Sequence, residues 1–498
     1  MFKQTALTSC DSYKLGHADQ YPEGTTKVYS NFTPRFENHF NIPQEYKDGN
    51  ITWFGLQGFL IELKEIWQST FFDENIDNLV NEVSSFYAPF CGPNGFNTDR
   101  LRQLHTVGYL PLEIKALPEG VRVPVGVPVL TITNTLPEFF WLPNFLETWI
   151  SAELWKACTS ASTSFVYRKI INKYAQITGG SKEFIDWQGH DFSVRGMSGI
   201  ADAAKSGSGH LIYFTGTDNL PAVKYLNDSY FGKDTFIGGS VPATEHSVMC
   251  AGGMETELET FKRLLKTYPS GVLSIVSDTW DFWNVITNMA ELLKEDILSR
   301  VPDQLGLAKT VFRPDSGDPV KIICGDISAD PDTSEFKGAV ECLWDIFGGT
   351  TNALGYRTLN QRVGLIYGDS ITPQRAEEIL KQLAAKGFAS DNIVFGIGSY
   401  TFQYQTRDTL GFAMKATCVE IRDKYLPIFK DPKTDSGTKK SAKGLLAVKT
   451  MAGKYILCNN VSKYEERENN LLNLEFYNGE LVFQDSITSI RKRAATYL

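Results

Sequence analysis

After residue 185, five apolar, β-branched runs each stop at a small polar cluster, and the clusters hold the residue types that handle phosphate and sugar. Leu211-Ile212-Tyr213-Phe214 leads to Thr215-Gly216-Thr217-Asp218, and Val272-Leu273-Ser274-Ile275-Val276 leads to Ser277-Asp278. Thr310-Val311-Phe312 stops at Arg313-Pro314-Asp315-Ser316-Gly317-Asp318. Val363-Gly364-Leu365-Ile366-Tyr367 stops at Gly368-Asp369-Ser370, and Ile393-Val394-Phe395 at Gly396-Ile397-Gly398-Ser399. Arg195 and Arg313 offer planar guanidinium forks suited to phosphate. The glycine-containing turns expose backbone N–H groups, which form concavities for anions. Asp278, Asp281, Asp315, Asp318 and Asp369 supply oxygens for Mg2+ held through water, or for ribose hydroxyls. Singly, each feature is ordinary: a glycine pair makes a tight turn, and Asp after a strand caps the next helix. Their succession at consecutive run ends points to a phosphorylated small substrate with Mg2+. Gly396-x-Gly398 lacks a third glycine and no G-x-x-x-x-G-K-[ST] occurs, so neither a dinucleotide fingerprint nor a P-loop is present.

These clusters need a scaffold that brings run ends together. Helical patterns over 283–298 and 372–386 lie between the runs. Near-continuous apolar strands alternating with helices imply a parallel sheet buried on both faces. Such sheets and barrels place their ligand sites at the carboxyl ends of the strands. The uneven spacing predicts an irregular α/β barrel over residues 151–400. An N-terminal α+β part is expected over 1–150, with a long helical pattern over 144–178. The C-terminal part, 401–498, is expected to pack with it and carries a charged loop, 430–444. That loop reads either as a solvated linker or as a lid whose lysines meet phosphate.

The chain has 498 residues, 42% of them hydrophobic and 21% charged, with a net charge of −9. This is a globular composition, not that of a disordered, collagen-like or disulfide-scaffold protein. An acidic chain lacks the clustered cations that bind nucleic acid, so no nucleic-acid partner is expected. No run approaches the ~20 apolar residues of a membrane-spanning helix. The opening Met1-Phe2-Lys3-Gln4-Thr5-Ala6 carries no apolar signal region. The eight Cys are scattered without C-x-x-C, and the six His include no H-E-x-x-H. Reduced thiols, a cytoplasmic location and no dedicated protein metal site are therefore expected.

Several segments also match a known family in order. They begin with Asp11-Ser12-Tyr13-Lys14, Gln20-Tyr21-Pro22, Lys27-Val28-Tyr29-Ser30 and Arg35. His190-Asp191-Phe192-Ser193-Val194-Arg195-Gly196, Gly216-Thr217-Asp218 and Ser240-Val241-Pro242-Ala243-Thr244-Glu245-His246-Ser247 follow. Ser277-Asp278, Arg313-Pro314-Asp315-Ser316-Gly317, Gly368-Asp369, Thr406-Arg407-Asp408 and Phe429-Lys430-Asp431-Pro432 complete the series. From residue 11 to about 444 the chain resembles the nicotinamide phosphoribosyltransferases, a type II phosphoribosyltransferase family.

The resemblance implies a homodimer with active sites shared between subunits. It implies transfer of 5-phosphoribosyl from phosphoribosyl pyrophosphate to nicotinamide, with Mg2+ on the pyrophosphate and ATP as co-substrate. Carried over by position, Phe192 and the partner's Tyr13 sandwich the pyridine, where a developing pyridinium gains ~0.5–2 kcal/mol per face. Asp218 takes the carboxamide N–H and repels a nicotinate carboxylate. Arg195, His246 and Arg313 contact the diphosphate. Pro314, Asp315, Gly368, Asp369, Gly398, Ser399 and Arg407 surround the ribose and its phosphate. Arg35, Lys415, Lys430 and Lys439 lie near the phosphates. His246 is the residue phosphorylated by ATP, with Glu245 or Asp278 orienting it; the sequence leaves both open. Ser399 stands in a run that is glycine-rich in the family, and a positive φ there would strain it. The nearest alternative reading is a nicotinate or quinolinate phosphoribosyltransferase. A non-catalytic barrel or a phosphosugar hydrolase is a more distant one.

Overall fold

The computed structural model describes residues 4–92, 97–430 and 442–498. Lys439 of the charged loop therefore lies outside the described residues. Strand β1 (Thr25–Thr33) is rich in β-branched and aromatic residues and buried along most of its length. It pairs antiparallel on both edges. On one side lies β3 (Leu130–Asn134), itself paired to β2 (Leu112–Ala116).

The chain then enters α2, a helix of 37 residues, Leu142–Thr178, preceded in the first layer by α1 (Leu56–Trp67). At ~1.5 Å per residue α2 runs about 55 Å, long enough to pass from one layer to the other. Its middle is small and polar, yet Thr159, Ser160, Ser162, Thr163 and Ser164 are all buried. Thr159, Ser162 and Thr163 donate to carbonyls one turn back, and Ser162 Oγ, on Cys158 O at 2.7 Å, also accepts from Thr52 N–H (2.9 Å). Small residues there let α3 (Ile200–His210) cross backbone to backbone. A Cβ on Gly209 would lie 2.6 Å from Ala157 O and 2.8 Å from Ala161 N. Gly179 ends α2 with φ 68°, the left-handed cap that glycine adopts without strain.

The second layer is a parallel sheet. Its strands are β4 (Gly189–Asp191), β5 (Gly216–Thr217), β6 (Leu273–Val276), β7 (Thr310–Arg313), β8 (Val363–Tyr367) and β9 (Val394–Ile397). Their spatial order is β5-β4-β9-β8-β7-β6. The segment 239–244 joins the two edges. Thr217 N–H donates to Gly239 O (3.0 Å) at the β5 edge, and Ser274 N–H donates to Pro242 O (2.9 Å) at the β6 edge. The result is an irregular α/β barrel with helices outside, among them α4 (Leu220–Ser229), α5 (Glu257–Thr267), α6 (Ala339–Phe347) and α7 (Pro373–Ala385).

After the barrel the chain returns to the first sheet. β10 (Ala413–Ile421) pairs with the other edge of β1, placing Lys415 opposite Asn31; β11 (Lys424–Pro427) pairs with β10. β12 (Asn473–Tyr477) and β13 (Glu480–Leu481) extend the β2 edge, completing a seven-stranded antiparallel sheet. The last helix, α8 (Ile487–Ala495), ties the layers: Arg491 donates to Leu211 O (2.7 Å), and Arg493 donates to Glu119 O.

Two element expectations change. Leu211–Phe214 is buried but is a turn closing α3; the strand is the pair Gly216–Thr217. An apolar run records burial, and turn and strand bury alike. The helical pattern over 283–298 is a broken series with a π-turn at Val285–Met289 and an interruption at Leu293. Among the described residues all eight cysteines are unpaired, and no helix is long and apolar enough to cross a membrane.

Candidate active site

Each barrel strand hands its carboxyl end to a candidate residue. β4 leads to Phe192 and Arg195, β5 to Asp218, and the joining segment to His246. β6 leads to Asp278, β7 to Arg313, Pro314 and Asp315, β8 to Gly368 and Asp369, and β9 to Gly398 and Ser399. The β4 turn is braced from inside. Fully buried Asp191 accepts Ser193 N–H at 2.9 Å through Oδ1 and Asn219 Nδ2 at 3.0 Å through Oδ2. Asn219 in turn caps α4 by accepting Ala222 N–H (3.0 Å). One buried carboxylate thus fixes the loops on either side of Asp218.

Phe192 and Asp218 line one cavity inside the barrel. His190 Nε2 lies 2.9 Å from Asp218 Oδ1, which also accepts the Ser240 hydroxyl. Burial alone would raise the Asp218 carboxyl. The bonds from His190 and Ser240, with the fields of His190 and Arg313, outweigh it and hold Asp218 below its ordinary value. The His190 ring sits 4.6 Å from that of Phe192. Phe192 has room because the β9 end lacks a side chain there: a Cβ on Gly396 would lie 2.6 Å from the Phe192 ring and 2.7 Å from Gly368 Cα.

Across the mouth, His246 Nε2 lies 3.2 Å from Asp278 Oδ1, and Asp278 Oδ2 accepts Asp315 N–H at 3.0 Å. Glu245 instead accepts from Ser247. Asp278 is therefore the carboxylate that orients His246. Arg313 donates to Thr244 O (2.8 Å), and its Nε stands 3.6 Å from Asp315 Oδ2. Its guanidinium carbon is 5.8 Å from the Phe192 centroid, so the cation borders the aromatic pocket. Asp315 is raised above its ordinary value by burial and by Asp278 and Asp369, against the opposing fields of Arg313 and His246. Asp315 Oδ1 is buried without a hydrogen-bond partner among the described residues.

The remaining residues divide. Arg195 is exposed at the mouth, and Asp369 Oδ2 accepts the Ser370 hydroxyl (2.8 Å). Ser399 starts a short helix and is not among the residues with positive φ, so the expected strain is absent. Its side chain fills the space beside Gly196, where a Cβ would lie 2.0 Å from Ser399 Oγ. Tyr13, Arg35, Arg407 and Lys415 form a second group about the antiparallel sheet. Tyr13 is 61% exposed, and its ring neighbours are His17 and Lys14. Arg35 Nε donates to Gly411 O (2.8 Å) and is pushed below its ordinary value by burial and then by Arg407. Burial also lowers Lys415; Glu147 opposes this, while Arg35, Lys14 and Arg407 add to it. Cations held this close call for an anion. Lys430 is the last described residue before 431–441.

His190, Ser240 and Asp191 acquire roles that their sequence segments did not assign. Strand alternation was the available signal for His190, since it lies two residues before Phe192 and so faces the same side. Among the described residues no group of three or more His, Cys, Asp or Glu side chains forms a metal cage. A divalent cation here fits only if a bound diphosphate supplies most of its ligands, with the unpartnered Asp315 Oδ1 as the protein's contribution.

The family model for the nicotinate phosphoribosyltransferase family matches residues 187–480, and that for the nicotinamide phosphoribosyltransferase N-terminal domain matches 5–114. A nicotinamide phosphoribosyltransferase of Acinetobacter baylyi is 53% identical over 499 residues, covering 100% of this chain and 98% of the relative. One from Mycoplasma pneumoniae is 35% identical, covering 88% of this chain and 94% of its own length. Among solved structures, a nicotinate-nucleotide pyrophosphorylase from Pyrococcus furiosus shares the fold at TM-score 0.58 and 15% identity, covering 99% of this chain and 94% of that one. Human nicotinic acid phosphoribosyltransferase shares it at TM-score 0.52 and 17% identity, covering 98% and 93%. Sequence relationship over the full length, added to the barrel and its ring of strand-end residues, places the chain in the nicotinamide phosphoribosyltransferase family.

Proposed function

We propose that the chain transfers the 5-phosphoribosyl group of phosphoribosyl pyrophosphate to the ring nitrogen of nicotinamide, releasing pyrophosphate and nicotinamide mononucleotide for NAD biosynthesis. The observation that carries this reading is Asp218, kept ionised by His190 and Ser240 beside the Phe192 ring. Both recorded bonds fall on Oδ1, which leaves Oδ2 to accept a carboxamide N–H. A carboxylate in that place would meet like charge, costing several kcal/mol.

Phe192 offers its face to the pyridine. As the C1–N bond forms, the ring turns cationic, and attraction to the aromatic face grows with the charge; the gain favours the transition state over bound substrate. Arg313 and Arg195 take the departing pyrophosphate through charge-assisted bonds that strengthen as the C–O bond breaks. Mg2+ held on the diphosphate, with Asp315 as its protein contact, would supply charge neutralisation at the leaving group. Asp315, Gly368, Asp369, Gly398 and Ser399 bound the ribose phosphate.

His246 accepts the γ-phosphoryl group of ATP. A carboxylate only accepts hydrogen bonds, so the ring nitrogen facing Asp278 carries the proton and the other keeps its lone pair. Attack by that lone pair forms the P–N bond and releases ADP, while Asp278 stabilises the imidazolium. The second group serves a partner subunit: Tyr13 covers the other face of the pyridine, and the cations Arg35, Arg407, Lys415 and Lys430 reach the phosphates. The enzyme works in the cytoplasm as a homodimer. Mixing two inactive homodimers, Tyr13→Ala and Asp218→Ala, under conditions of subunit exchange tests this arrangement. Shared sites restore up to about a quarter of the activity; self-contained sites restore none.

A further inference from the structure

The barrel cavity does not end at the mouth. It encloses about 670 Å³ and continues to Ser270, Asp303 and Thr358 near the amino ends of the strands. From Lys309 to Arg313, β7 advances four residues, about 13 Å at ~3.3 Å each, so the inner end and the mouth are separate places.

Lys309 lies at that inner end. Its backbone is fixed against the start of β6, with N–H on Gly271 O (3.0 Å) and O accepting Leu273 N–H (2.8 Å). Its stem crosses β8 where that strand has no side chain: a Cβ on Gly364 would lie 2.9 Å from Lys309 Cδ. The ammonium sits 5.4 Å from the Phe184 ring centroid and has no hydrogen bond or ion pair among the described residues. Burial holds it below its ordinary value, with Asp391 opposing. The nearby carboxylates are engaged by their own loops. Asp391 accepts Ser181 N–H (3.0 Å) and the Thr358 hydroxyl (3.3 Å), and Asp303 accepts Leu305 and Leu307 N–H (both 2.9 Å).

A half-buried cation that makes no ion pair among the described residues, its neighbouring carboxylates Asp303 and Asp391 held by their own loops and its ammonium beside the Phe184 ring, matches one ligand chemistry: a flat ring bearing a single negative charge. We propose that the inner end of the barrel cavity is a second binding site, which takes an aromatic monocarboxylate with its carboxylate on Lys309 and its ring against the aromatic wall. The two ends then sort by charge, the amide going to Asp218 and the acid to Lys309. This goes beyond the transferase reading and does not depend on it.

The test is calorimetric binding of benzoate, which has no ring nitrogen to be phosphoribosylated, with benzamide as control. Wild type binds benzoate. Lys309→Met binds it at least tenfold more weakly, while Lys309→Arg and Asp218→Asn retain it and benzamide affinity is unchanged in Lys309→Met. Removing a half-buried cation should leave melting at or above that of wild type. Equal benzoate affinity in wild type and Lys309→Met overturns the proposal. So does equal loss in Lys309→Met and Lys309→Arg, or no benzoate binding to wild type. Because turnover is not read, a failed transferase assay leaves this test intact.

Discussion

The His246 imidazole and the Asp278 carboxylate meet at 3.2 Å across two loops of the barrel mouth, the ring half exposed and the carboxylate buried. On the proposed reading, the exposed partner would meet the phosphoryl donor, and the buried one would hold the ring and the charge it acquires. Incubation with γ-labelled ATP should label wild type and leave His246→Ala unlabelled, with Asp278→Asn labelled at least tenfold more slowly. Equal labelling of His246→Ala and wild type places the acceptor elsewhere.

Asp218→Asn tests selectivity. Removing the charge should narrow the ratio of kcat/KM for nicotinamide over nicotinate by about 10–100-fold, the scale of one buried charge contact. The lowered Asp218 pKa makes its ionised form complete well above pH 4 and lost only as pH falls through that lowered value. The wild-type ratio should therefore be flat between about pH 6 and 8. A helix-cap role alone would leave the ratio unmoved by the substitution.

Gly396→Ala places a Cβ 2.6 Å from the Phe192 ring and 2.7 Å from Gly368 Cα. The aromatic side chain has to move. KM for nicotinamide should rise about tenfold with a smaller change in KM for phosphoribosyl pyrophosphate, since a displaced ring costs on the order of 1–3 kcal/mol. Steady-state kinetics with each substrate varied separately read the difference.

Arg313→Ala should lower kcat by about 10²–10³-fold, as loss of a preorganised donor does. The Thr244 carbonyl loses its partner, which costs about 1–3 kcal/mol of stability. Circular dichroism should still show a folded chain. A near-wild-type rate removes Arg313 from the leaving-group contacts.

A pH effect on stability comes from the other layer. Burial pushes Glu119 up to about 7 and Glu475 up to about 8, and the two repel each other near Asp485. Each binds its proton more tightly folded than unfolded, where the ordinary value is 4.5. This contribution is complete below the unfolded value and is lost as pH rises through about 7 and 8. Glu475→Gln should melt about 1–2 °C above wild type near pH 8.5 and close to level with it near pH 4.5. A gain of the same size at both values would mean the effect is not titration.

Run ends were legible because an apolar strand stops abruptly where the chain leaves the barrel, and Asp278, Arg313, Asp315 and Gly368 all stand at such stops. Leu211–Phe214 misled because burial in a turn looks like burial in a strand. His190 and Ser240 were hidden for a different reason. Their importance is a pair of hydrogen bonds to Asp218, which spacing does not encode. The choice of Asp278 over Glu245 needed a distance between residues 32 positions apart. Lys415 sits opposite Asn31 through a cross-strand register spanning 384 positions, and no local pattern reports that pairing.

The most direct measurement is a chromatographic end-point assay of purified enzyme with phosphoribosyl pyrophosphate, Mg2+ and an equal mixture of nicotinamide and nicotinate. Nicotinamide mononucleotide and pyrophosphate should form in equal amounts, with the acid nucleotide at no more than about a hundredth of the product, the discrimination that a like-charge contact of several kcal/mol supports. Equal use of both bases, or free ribose phosphate without a nucleotide, would contradict the proposed function.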